Sequence, residues 1–184
     1  IEGSKEMVRQ IGSGPRALLL LTAVVWGLSF SGALAPAIGQ DELCYHLMQP
    51  KNYVHAGSIY EVPYSINSLW PYLMHMLFTL GLLLDGEGLA KLFHFTTYAG
   101  TSLAVYAFLR KEADVKTAVY GMAAYALTPV AFIQASFAYV DNALAFYIFL
   151  TGYSLYYFVK EKKMHWAALA GIFAGFAASV KLIG

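Results

Sequence analysis

The chain has 184 residues, 59% hydrophobic and 12% charged, with a net charge of +1 and a mean hydropathy of +0.55. A soluble domain carries about 25% charged residues, so this chain lacks the surface that water requires. The near-neutral charge, with no basic stripe, argues against nucleic acid as a partner, and a lone cysteine, Cys44, rules out an internal disulfide.

The apolar residues come in runs, and a helix needs about 20 such residues to cross a hydrocarbon core. Five runs read as full spans: residues 17–36, 92–109, 117–138, 142–159 and 166–183. A sixth, 69–84, is shorter and opens on Trp70-Pro71. The first run is long and leads into further spans, so it is not a cleavable signal peptide. The chain opens at Ile1 and stops at Gly184 beside an apolar run. It therefore reads as the N-terminal portion of a longer protein, one membrane domain over residues 1–184 without internal repeats.

Basic residues gather at Lys5, Arg9 and Arg16, at Arg110, Lys111 and Lys116, and at Lys160, Lys162 and Lys163. If all three clusters are cytoplasmic, even numbers of crossings separate them. Parity then keeps run 69–84 from crossing and lays it on the outer face as an amphipathic or re-entrant helix. The expected fold is all-α and polytopic: about five transmembrane helices, with juxtamembrane helices in a large first external loop, 37–91. The alternative is six spans with one cluster outside. In a bacterium the protein would sit in the plasma (inner) membrane.

Within the spans, Pro129 is expected to kink the third, its freed carbonyl met by neighbours. Gly171 and Gly175 form a small-xxx-small face that permits close packing. The fourteen tyrosines and three tryptophans cluster near the expected interfaces. His75 and His94 lack a second ligand at metal spacing and read as packed or interfacial.

Three sites could carry chemistry. Asp41-Glu42 follows the first span. It is either a solvated pair starting a short helix or a general base at the membrane surface. Asp141 lies in a stretch of more than forty residues, 117–159, that has no other charge. Asp141-Asn142 makes a natural cap between spans, yet a carboxylate so near hydrocarbon marks a functional site. Lys181, near the outer end of the last span, either snorkels to headgroups or meets an anionic lipid phosphate.

The order of these features resembles the start of the GT-C membrane glycosyltransferases, in particular the protein O-mannosyltransferase and aminoarabinose transferase branch. Four features carry the likeness. The first is the external pair Asp41-Glu42 with Tyr45 nearby. The second is the loop from Gly57 to Pro63, leading to a helix that starts at Pro71. The third is a second acid, Asp141, at the external end of a later span. The last is a helix with Gly171, Gly175 and Lys181. Some relatives have Lys-Pro where this chain has Trp70-Pro71.

The resemblance implies an inverting transfer of a sugar from a polyprenyl-phosphate donor to an acceptor on the non-cytoplasmic face. Asp41 would act as base, supported by Glu42. Tyr45 and Asp141 would bind substrate, and Lys181 would assist the leaving phosphate. Asp41 and Asp141 would be the candidates to hold a divalent metal, which some branches use and others do not. Besides the lipid-linked sugar and the bilayer, further membrane subunits are conceivable partners. The competing reading is a non-catalytic scaffold subunit of a larger membrane complex. A transporter, which wants polar groups and broken helices at mid-membrane, fits less well.

Overall fold

The computed structural model describes residues 13–69 and 73–181. Lys5, Arg9, Trp70, Pro71 and the end of the last expected span, from residue 182, lie outside them. The described residues are helical, without strands: α1 (Ser13–Leu34), a π-helical turn (Glu42–His46), α2 (Met48–Ala56), a 3-10 turn (Ile66–Leu69), α3 (Leu73–Leu84), α4 (Glu87–Glu112), α5 (Val115–Ala126), α6 (Pro129–Gln134), α7 (Asp141–Glu161) and α8 (Met164–Val180).

The packing is that of a protein whose solvent is oil. On α1 the buried side chains are small or polar, Thr22 and Ser29 at 2% exposure, while Leu20 and Leu28 stand 70% and 67% exposed. Without a hydrophobic drive between helices, small residues and hydroxyls form the contacts and large apolar ones meet lipid. α4 repeats the pattern with a buried stripe of Lys91, His94, Thr97, Tyr98, Thr101 and Ser102 at helical spacing. Among the described residues, α1 alone is both long and apolar enough throughout to cross a membrane by composition. α4 and α7, with 26 and 21 residues, match it in length but carry charges at their ends.

α3 has 12 residues, about 18 Å at 1.5 Å per residue, well short of a hydrocarbon core of about 30 Å. It folds back on α4 through the turn at Gly86, whose φ of 91° suits glycine. At Gly81 a Cβ would stand 2.6 Å from the backbone of Ala90, so only glycine permits this approach.

The expected kink at Pro129 is a break. α5 ends at Ala126, Thr128 is extended with ψ 119°, and Pro129 opens α6. The proline ring drives the preceding residue out of the helical region and suits the first helical position. The carbonyl of Ala126 that the break frees accepts from the Tyr98 hydroxyl at 2.5 Å. The expected close packing at Gly171 and Gly175 is likewise not made among the described residues. Space for a Cβ is open at both, and α8 instead buries Ala170 and Val180.

Candidate active site

The end of α1 fixes where the acidic pair begins. Lys91, buried on α4, donates to the carbonyls of Gly32, at 3.2 Å, and Ala35, just beyond the end of α1, where the Gly32 carbonyl also accepts from the Ala35 N–H at 3.2 Å. Glu87 accepts from the Ala37 N–H at 3.3 Å and pairs with Lys51 at 2.5 Å, tying α2 to the start of α4.

The two acids that follow face opposite ways. Asp41 is exposed, whereas Glu42 is wholly buried. The Glu42 carboxylate accepts from the backbone N–H groups of Ile38 at 3.1 Å, Gly39 at 3.0 Å and Ala138 at 2.8 Å. A carboxylate taken out of water is tolerated only with such partners. Glu42 thereby joins the Asp41 turn to the segment between α6 and α7.

That segment is gripped from two more sides. The Phe137 carbonyl lies 2.9 Å from His94 Nδ1, and the Asn142 N–H donates to Nε2 at 3.3 Å. A carbonyl only accepts and a backbone N–H only donates, so His94 is the neutral tautomer with its proton on Nδ1. The Asn142 side chain donates to the Ala131 carbonyl at 2.9 Å and accepts from the Tyr125 hydroxyl at 3.0 Å. Asp141 sits on this support as the first residue of α7, where the helix N-terminus favours negative charge. Lys181, at the end of α8, reaches it at 3.1 Å.

Two phenols bond to Asp41 and lie within the field of Asp141. The Tyr45 hydroxyl bonds to the Asp41 side chain, and the Asp41 backbone N–H donates to the Tyr139 hydroxyl. Burial first, then the Asp41 bond and the charges of Asp41 and Asp141, push the Tyr45 phenol well above its ordinary range. Tyr139 moves the same way, by burial and then by Asp41, with Glu42 and Asp141 contributing. The fields of Asp41 and Asp141 thus meet at the same two side chains. Beneath them His46 lies against Tyr45, ring centroids 4.2 Å apart, and its Nδ1 is 3.2 Å from His75 Nε2 on α3. Burial, then His75, His94 and Lys181, lower His46 to about 2, so its imidazole is neutral near pH 7.

All five residues singled out in the sequence therefore lie at one end of the bundle. Asp41 with Tyr45 and Asp141 with Lys181 are in contact, while Glu42 is turned inward. Sequence reasoning missed Tyr139 and His46 as members of the site and gave His94 no role. Only the short spacing from Tyr139 to Asp141 hinted at the first. Among the described residues no group of three or more His, Cys, Asp or Glu could hold a metal. Two carboxylates remain, one of them on an ammonium. This donor set does not fit a divalent ion.

A family model described as dolichyl-phosphate-mannose-protein mannosyltransferase matches residues 66–184. The match contains His94, Tyr139, Asp141 and Lys181, whereas Asp41, Glu42 and Tyr45 precede it. No curated protein and no solved structure matches the chain. The matched stretch is well over half of the sequence, and the chain belongs to the dolichyl-phosphate-mannose-protein mannosyltransferase family of membrane glycosyltransferases.

Proposed function

We propose that the protein transfers a sugar from a polyprenyl-phosphate donor to a hydroxyl or similar nucleophile at the non-cytoplasmic membrane surface. The observation that carries this is the meeting of Asp41, Tyr45, Tyr139, Asp141 and Lys181 at one end of the helices, opposite the end that holds Arg110, Lys111, Lys160 and Lys163. By the positive-inside rule the basic end is cytoplasmic. The bilayer is then crossed about five times, with loop 37–91 outside and α3 along the outer face.

Asp41 is exposed and takes the proton of the acceptor as its oxygen attacks the anomeric carbon. The bond from that carbon to the phosphate oxygen breaks on the opposite face, its electron pair leaves on the phosphate, and the configuration inverts. Lys181 stabilises the negative charge that gathers there, a contribution that grows towards the transition state. Asp141 holds the ammonium in place until the phosphate competes for it. Tyr45 orients the Asp41 carboxylate, and Glu42 acts as a positioning residue through the backbone it clamps.

The test is transfer of radiolabelled sugar from polyprenyl-phosphate donors by membranes containing the full-length protein. Asp41→Asn is expected to lower kcat by about 100-fold or more with little change in KM for the donor. Equal turnover by both proteins removes Asp41 as base and favours a scaffolding role.

A further inference from the structure

The end of the bundle away from Asp41 is built around Glu112. Its carboxylate accepts from Tyr156 and Tyr157, each at 2.6 Å, and from Lys160 at 2.5 Å. Lys111 lies 3.7 Å above the Tyr157 ring and pairs with Glu161 at 3.6 Å, and Lys163 pairs with Glu161 at 2.9 Å. Six basic side chains, Arg110, Lys111, Lys116, Lys160, Lys162 and Lys163, face three acids, Glu112, Asp114 and Glu161. This end therefore keeps an excess of positive charge. An ammonium has three protons; Lys160 gives one to Glu112 and also bonds to the Tyr156 hydroxyl. Lys162 is exposed, makes no ion pair among the described residues, and sits at φ 56° in the left-handed region. Glycine usually ends a helix there, so a lysine at this turn bears strain for the charge it supplies.

From Lys160 a shallow, open depression of about 550 Å³ lies along one face of α7, lined by Val159, Tyr156, Leu155 and Gly152. A second, of about 290 Å³, joins it at Tyr156 and Gly152 and continues between Phe108, Phe149 and Tyr153. Gly152 leaves the floor open, since a Cβ there would meet nothing within 4 Å. Eight residues of helix separate Gly152 from Lys160, about 12 Å, and half of a hydrocarbon core is about 15 Å. The groove thus starts among cations at headgroup level and ends near mid-membrane, the path of one acyl chain in one leaflet.

We propose that this is a binding site for one anionic phospholipid of the leaflet opposite the Asp41 face. Its phosphate lies at Lys160 and Lys162, with the Tyr156 hydroxyl beside it, and one acyl chain lies across Gly152. Basic pockets at the membrane-facing flank of helices select anionic headgroups by charge, and the apolar groove supplies the hold on the chain. The site is independent of the sugar-transfer reaction.

Full-length protein in detergent is titrated with palmitoyl-oleoyl phosphatidylglycerol or the matching phosphatidylcholine, and bound lipid is counted by native mass spectrometry. Phosphatidylglycerol is expected to be retained in preference, one molecule per chain. Lys162→Gln lowers that affinity about fivefold. Gly152→Leu, which fills the groove, lowers it by about tenfold or more without moving the thermal unfolding midpoint. Equal retention of the two lipids, unaltered binding by Gly152→Leu, or displacement of the lipid by an equal concentration of inorganic phosphate overturns the proposal. Should Gly152→Leu not fold, the exposed Lys162→Gln decides alone, and unchanged selectivity in it is equally fatal.

Discussion

Glu42 and Ala138 stand 96 residues apart in the chain and are joined by a 2.8 Å hydrogen bond onto a carboxylate that no solvent reaches. Through this one side chain the turn that presents Asp41 and the segment that presents Asp141 become a single platform. The neighbouring carboxylate, Asp41, is left exposed while this one is turned inward.

Glu42→Gln turns an NH2 group towards backbone N–H donors, leaving at least one of them buried and unmatched. The expected loss is about 1–3 kcal/mol, read as a lower midpoint of thermal unfolding in detergent. Sugar transfer should fall as well at temperatures where the variant is still folded, since the spacing of Asp41 and Asp141 relaxes. A midpoint equal to that of the wild type would show that the clamp is not what holds these segments.

The pair Asp141 and Lys181 should behave in the opposite sense. Both side chains are nearly half exposed, and exposed ion pairs are worth about 0–1 kcal/mol. Lys181→Gln is therefore expected to leave the unfolding midpoint close to wild type while cutting kcat/KM by about 100-fold. A double-mutant cycle with Asp141→Asn separates the two quantities. Large destabilisation with normal turnover would mark the lysine as structural.

Sidedness can be read at Cys44, which is exposed and three residues from Asp41. A membrane-impermeant thiol reagent should modify it in intact cells. Modification only after permeabilisation would put Asp41 in the cytoplasm and end the proposed chemistry.

At the other end, the Lys160 ammonium first, then the Tyr156 and Tyr157 hydroxyls, hold Glu112 down to about 2 from its ordinary 4.5. A carboxylate with a lowered folded-state value contributes stability that is complete above its unfolded value. That contribution fades as pH falls from about 4.5 towards 2. Unfolding midpoints should therefore drop between pH 6 and pH 3, and the drop should shrink in Glu112→Gln. The same slope in both proteins would exclude Glu112 as its source.

Four helices were legible in the sequence because length and apolarity suffice to define them: α1, α4, α7 and α8 lie within a few residues of runs 17–36, 92–109, 142–159 and 166–183. The run 117–138 was read as one span, and its break was hidden. Whether a proline bends a helix or ends it depends on who serves the abandoned carbonyl. Here Thr128 serves the Tyr125 carbonyl at 3.1 Å, and the next one, that of Ala126, is served by Tyr98, 28 residues away. The site shows the same limit. Asp41 and Glu42 are alike on paper, since a loop has no period to say which side chain turns inward. His75 looked solitary because its partner His46 is 29 residues distant and carries no motif. Asp141 and Lys181 were each ambiguous alone, and only their contact across 40 residues makes them a pair.

Lys91 also bears on how the protein is made. The carbonyls of Gly32 and Ala35 take a hydrogen bond from an ammonium that the ribosome delivers 56 to 59 residues later. Until α4 docks, α1 can enter the bilayer but its far end stays untethered, with the acidic turn beyond it. The tether of α1 thus comes from the second long helix, and the turn that carries Asp41 is held against the bundle only once that helix has docked.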